Sequence, residues 1–98
     1  MDDDHAAAPL SFLGRQLEPE FAVRLITLAP GAERPFDDRD WADALVVVER
    51  GAVEIEGRSG VRRTFVSGNV LCLSGLPLRA LRNRGHVTAV LSAVTRCR

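Results

Sequence analysis

Three carboxylates, Asp37, Asp38 and Asp40, stand together in the chain, and its single tryptophan, Trp41, follows directly. Oxygen donors at this spacing could hold a hard cation such as Mg²⁺ or Ca²⁺ if Asp38 and Asp40 turned inward together. As a solvated loop and a turn cap, the same acids need no ligand. Trp41 could stack a planar ligand or fill a core or interface. A second constellation lies further on, where Arg79, Leu81 and Asn83 share one face of a strand by two-residue alternation. Leu81 marks that face as the interior, which leaves Ala80 and Arg82 facing out. A guanidinium turned inward is costly unless paired. Arg79 is therefore expected to join an acid of the 37–40 segment in an internal ion pair, to anchor a small anionic ligand, or to snorkel to the rim.

Other chemistry finds little footing. The two histidines, His5 and His86, fall in the N-terminal lead-in and at a turn, and are expected to be exposed. Cys72 in a predicted strand and Cys97 near the end read as a buried thiol and a loose one, with no base nearby to activate either. No Ser-His-Asp arrangement, phosphate-cradling glycine loop or basic patch with interleaved aromatics is present. A general acid–base role for Asp38 or Glu49 lacks a partner in the sequence.

The elements that must position these residues centre on Trp41 to Gly57, read as two apolar strands joined by a tight Arg50-Gly51 turn. Ala44 to Val48 is apolar without a break, as in a strand covered on both faces, whereas Ala52 to Glu56 alternates and should have one wet side. Before this hairpin, Phe21 to Leu28 alternates and reads as a strand ended by Ala29-Pro30-Gly31. After it, strands are predicted over Val61 to Val66, Val70 to Leu73, Arg79 to Asn83 and His86 to Thr95, with turns at Gly57 to Gly60, Ser67 to Asn69 and Arg84-Gly85. Turn signals without helix-period segments predict an all-β antiparallel sandwich or barrel. Residues 1–17 are expected to form a flexible N-terminal arm and lead-in, and residues 18–98 the barrel domain.

At 98 residues the chain is long enough for one modest core. Thirteen arginines, with no lysine, balance thirteen acids. That balance gives no net field for nucleic acid or an acidic membrane surface, and no apolar run approaches the ~20 residues of a membrane span. The expectation is a soluble cytoplasmic protein.

The order of residues resembles the cupin family, whose small barrels carry two motifs. Pro30-Gly31 opens the first and Gly51 closes it; its histidine positions fall on Asp37 and Arg39, or on Asp38 and Asp40, and its glutamate position on Ala44. In the second, Gly68, Ser74, Arg79 and Asn83 reproduce the spacing, with Arg79 in the place of a histidine. The resemblance covers roughly residues 21–94 and implies an antiparallel cupin-like β-barrel, a double-stranded β-helix or jelly roll. It also implies that the four usual metal ligands are replaced, so neither a metal nor another cofactor is expected.

The function expected from these readings is a metal-free, non-catalytic small-molecule-binding, sensor or regulatory module. Its site would be drawn from Arg79, Asp38, Asp40, Trp41 and Asn83. The alternatives are a metal-independent isomerase, cyclase or lyase acting on a small anionic metabolite, and a structural homodimer with a filled barrel. A homodimer is also expected because Leu45 and Val47 face away from Val46 and Val48, so a second apolar face needs a cover.

Overall fold

The computed structural model describes residues 11–14 and 20–96. Most of the expected arm over residues 1–17, including His5, lies outside the described residues, as does Cys97. Among the described residues, eight strands and one short helix follow in order: β1 (Phe21–Leu28), β2 (Glu33–Pro35), α1 (Asp38–Trp41), β3 (Leu45–Arg50), β4 (Ala52–Gly57), β5 (Arg62–Val66), β6 (Val70–Leu71), β7 (Leu78–Arg82) and β8 (Ala89–Arg96). They form two four-stranded antiparallel sheets. Sheet A has the order β1-β8-β3-β6 and sheet B the order β2-β7-β4-β5. This interleaving of early and late strands is a jelly roll, the all-β architecture expected.

The unbroken apolar run predicts β3 correctly. It lies between β8 and β6, and Val46, Val47 and Val48 are all fully buried. Val46 and Val48 join Trp41, Val53, Leu81 and Leu91 in the core between the sheets. Val47 is buried on the outer face instead and takes no part in that cluster.

The expected hairpin needs correction, because β3 and β4 do not pair with each other. The edges of β3 are taken by β8 and β6, while β4 pairs with β5 and β7. Arg50-Gly51 therefore carries the chain from one sheet to the other. Gly51 has φ 72°, and a Cβ there would meet the Thr88 carbonyl oxygen at 3.1 Å and the Ala89 Cα at 3.2 Å. Only glycine fits both the dihedral and the approach.

Two β-bulges set the side-chain directions that matter most. Val48 lies opposite Leu91 and Arg50 opposite Val90, which leaves Glu49 as an extra residue in β3. On β7, Ala80 lies opposite Glu56 and Leu78 opposite Gly57, which leaves Arg79 as the extra residue. The β7 bulge holds Arg79 outside the alternation of its strand, whereas Glu49 stays on the outer face of sheet A with Val47, where it meets Ser92.

Candidate functional site

The acids of the 37–40 segment are committed to local structure. Asp37 caps α1, accepting from the Arg39 amide at 3.0 Å and from its guanidinium at 2.9 and 3.2 Å. The Arg39 side-chain hydrogen bond holds the Asp37 carboxyl below its ordinary range. Asp38 accepts from the Gly75 amide at 3.0 Å and so ties α1 to the β6–β7 loop. Asp40 is ion-paired with Arg34 at 3.2 Å, and its carbonyl accepts from Arg24. These two arginines stand 5.9 Å from the centroid of the Trp41 ring, within cation–π range. Trp41 is fully buried in the core, with its indole N–H finding no acceptor among the described residues. It fills the interior and presents no face to a ligand.

Asn83 is buried as its alternation with Leu81 predicts, but it works as a clasp. Its amide donates to the carbonyls of Leu28 at 2.9 Å and Val87 at 2.8 Å, and its oxygen accepts from the Gly85 amide at 2.9 Å. All its polar capacity goes into holding the β7–β8 turn against β1. Arg79 departs from the inward position expected of it. As the extra residue of the β7 bulge it is exposed, and its guanidinium donates to the Arg58 carbonyl at 3.3 Å. It forms no pair with Asp38 or Asp40. The alternation that places Leu81 and Asn83 inward fails one step earlier because the inserted residue shifts the register.

These positions do not assemble a metal site. Among the described residues, no three His, Cys, Asp or Glu side chains gather where they could hold an ion. Ala44 is buried in the core without a donor, and Arg79 points away from it. The set does not fit a transition metal, which needs three or four converging donors.

The interior opens between the edge strands β5 and β6. A cleft of about 400 Å³ lies there, floored by Ile55, Leu73 and Leu78 and flanked by Phe65 and Leu71. Its lining is apolar apart from Ser59, Arg63 and Cys72. Cys72 corrects a further expectation. Strand β6 ends at Leu71, so Cys72 leaves the sheet and its thiol is exposed at the cleft instead of buried in the core.

Among the described residues Arg63 is the cleft's single charge, and the expected site did not contain it. Its signal was present in the alternation Val61, Arg63, Phe65. Residues paired across the β4–β5 hairpin share a face, and Phe65 and Arg63 lie opposite the core residues Val53 and Ile55. The neighbouring Arg62 lies opposite Glu56 on the outer face, 3.8 Å from its carboxylate. Arg63 has no hydrogen-bonding or ionic side-chain partner among the described residues.

No family model matches the chain, nor does any curated protein sequence. Solved structures do match. A Cupin 2 conserved barrel domain protein from Salinispora arenicola CNS-205 superposes with a TM-score of 0.61 at 20% identity, over 82% of this chain and 66% of that one. The Cupin_2 domain of an XRE family transcriptional regulator from Enterobacter cloacae gives 0.57 at 26% identity, over 81% and 84%. A cupin-superfamily sugar phosphate isomerase from Silicibacter pomeroyi DSS-3 gives 0.55 at 27% identity, over 79% and 51%. The chain thus spans just under two thirds of the first of these proteins and about half of the last. From its jelly-roll strand order, its motif glycines and asparagine, and these likenesses, the chain has the fold of a small cupin domain.

Proposed function

We propose that this cupin module binds a small molecule in the β5–β6 cleft without transforming it, and without a resident transition metal. The observation that carries this reading is the cleft itself, an apolar hollow of about 400 Å³ between β5 and β6. That volume falls within the ~300–1,000 Å³ of small-molecule sites. Among the described residues the lining contains no carboxylate and no imidazole. A proton-transfer reaction would have only Arg63 and Cys72 to work with, which favours binding over the isomerase, cyclase or lyase alternative. The regulator among the similar structures carries a domain of this type, and a sensor role suits a site of this kind.

A neutral, environment-sensitive apolar dye such as N-phenyl-1-naphthylamine tests the reading. It should bind the native protein with a rise in fluorescence, and Cys72→Trp, which fills the cleft from an exposed position, should abolish that rise with no loss of fold by circular dichroism. Binding that is absent, or indifferent to Cys72→Trp, overturns the cleft as the site. Elemental analysis of protein purified without chelators tests the metal. About one iron, zinc, manganese or nickel per chain after dialysis would contradict it.

A second reading concerns partners and rests on the outer face of sheet A. Phe21, Val23 and Leu25 of β1 and Val70 of β6 are exposed there, at 42%, 37%, 55% and 46%. Such a face on a small domain favours a homodimer. Light scattering should give a dimer mass at tens of micromolar, and a monomer would refute it.

A further inference from the structure

We infer that the ligand of the β5–β6 cleft is a monocarboxylate with an apolar body, anchored by Arg63. The inference rests on the cleft-binding reading and adds the chemical class of what is bound. Its starting point is the contrast between neighbouring arginines. On the outer face of sheet B, Arg62, Arg82 and Arg84 each face a carboxylate: Arg62 faces Glu56 at 3.8 Å, Arg82 faces Glu33 at 2.9 Å and Arg84 faces Glu54 at 2.8 Å. Arg63, one residue from Arg62 and turned to the other side of the same strand, has no such partner among the described residues. The charge balance of sheet B is thus completed on one face and left open on the other, where Arg63 stands exposed beside an apolar cleft.

The shape of the lining fixes the rest of the molecule. Just before β5, Val61 is exposed; within the strand Phe65 packs against the core, and Arg63 stands between the two. Two residues of strand span ~7 Å. A carboxylate on Arg63 would therefore leave an apolar body of that reach lying over Phe65 and toward Leu71. A guanidinium offers two parallel N–H donors that match a carboxylate bidentately. The charges then cancel, and among the described lining residues Ser59 supplies the only other polar side chain with a firm donor. A phosphate dianion would leave one negative charge uncompensated against apolar walls, which is costly. A sugar-like polyol would bring hydroxyls that these walls cannot satisfy.

Isothermal titration of the 98-residue protein with octanoate, octanamide and octyl phosphate decides the question. Octanoate is expected to bind at least tenfold more tightly than octanamide and than octyl phosphate. Arg63→Gln should bring octanoate to within about twofold of octanamide, with the octanamide affinity and the melting temperature unchanged because Arg63 holds nothing else in place. Arg63→Lys should recover part of the preference through charge alone. Equal binding of octanoate and octanamide by the native protein would overturn the carboxylate inference while leaving the cleft as a binding site. Tighter binding of octyl phosphate would likewise overturn the ligand class, and an octanoate preference that survives Arg63→Gln would remove Arg63 as its anchor. Failure of all three probes and of the neutral dye would instead bring down the cleft-binding reading itself.

Discussion

The two outer faces of this sandwich solve the same problem in opposite ways. Sheet B faces outward with charges that answer one another. Arg82 contacts Glu33, Glu54 and Glu56, while Glu54 also meets Arg84 and Glu56 also meets Arg62. The lattice is dense enough that Glu56, expected on a wet side, is only 5% exposed, and the Arg82 hydrogen bond holds its carboxyl below the ordinary value. Sheet A faces outward with Phe21, Val23, Leu25 and Val47, and with one carboxylate, Glu49, at its bulge. Glu49 accepts from the Ser11 hydroxyl at 2.6 Å, the Phe12 amide at 2.8 Å and the Ser92 hydroxyl at 2.5 Å. Burial pushes that carboxyl up, but the three hydrogen bonds and the charge of Arg50 outweigh it and leave it below the ordinary value. One face is complete in itself. The other is an apolar surface to which a single polar clamp ties the segment at Ser11 and Phe12.

The sharpest way to break the comparison is Arg82→Leu, which takes away the ionic partner of Glu33 and leaves Glu54 to Arg84 and Glu56 to Arg62. Of all the substitutions proposed for the two faces, it should give the largest fall in the urea midpoint, and adding Glu56→Leu should restore part of it because the nearly buried Glu56 charge is gone. A double variant no better than the single one would show that the lattice is not the unit of stability. Glu49→Leu comes next. It leaves the Ser92 hydroxyl, itself fully buried, and the Phe12 amide without their acceptor, at a cost of about 1–3 kcal/mol by urea denaturation.

Acid tests both faces together, since Glu49 and Glu56 both titrate below the ordinary glutamate value of 4.5. A depressed folded value means that the stabilisation is present above pH 4.5 and is lost as pH falls below it. Melting temperature should drop through that window, and Glu49→Gln should flatten the drop. An unchanged slope would mean that Glu49 contributes nothing to it.

Smaller effects distinguish the faces by kind. Leu25→Glu, at a position 55% exposed, should change stability little but shift the proposed dimer to monomer by light scattering. Persistence of the dimer would move its interface off sheet A. Arg79→Ala should do least, within about 0.5 kcal/mol, because the side chain is exposed and reaches only the Arg58 carbonyl. A loss of several kcal/mol would instead restore the internal ion pair that the bulge argues against.

The sequence by itself determined most of the strands and the central place of Val46 to Val48, but neither the short strand Glu33–Pro35 nor the passage between sheets at Arg50-Gly51. Apolar alternation and glycine or proline punctuation are local signals, written into neighbouring residues. It also placed Asn83 and Leu81 inward, and it contained the alternation of Val61, Arg63 and Phe65 that carries the cleft. Tertiary structure alone decided which charges face where. A period of two has no memory across an inserted residue, so the bulge at Arg79 turned that side chain in a way that no window of sequence displays. Whether a bulge forms depends on the partner strand, and the partners are remote: β8 for β3 and β4 for β7. The same remoteness hid the sheet change at Gly51, the exposure of Cys72 past the end of a two-residue strand, and the near-burial of Glu56 beneath arginines from β5 and β7. A side chain's neighbours along the chain set its strand; its neighbours across the sheet set its environment, and with it any chemistry it can do.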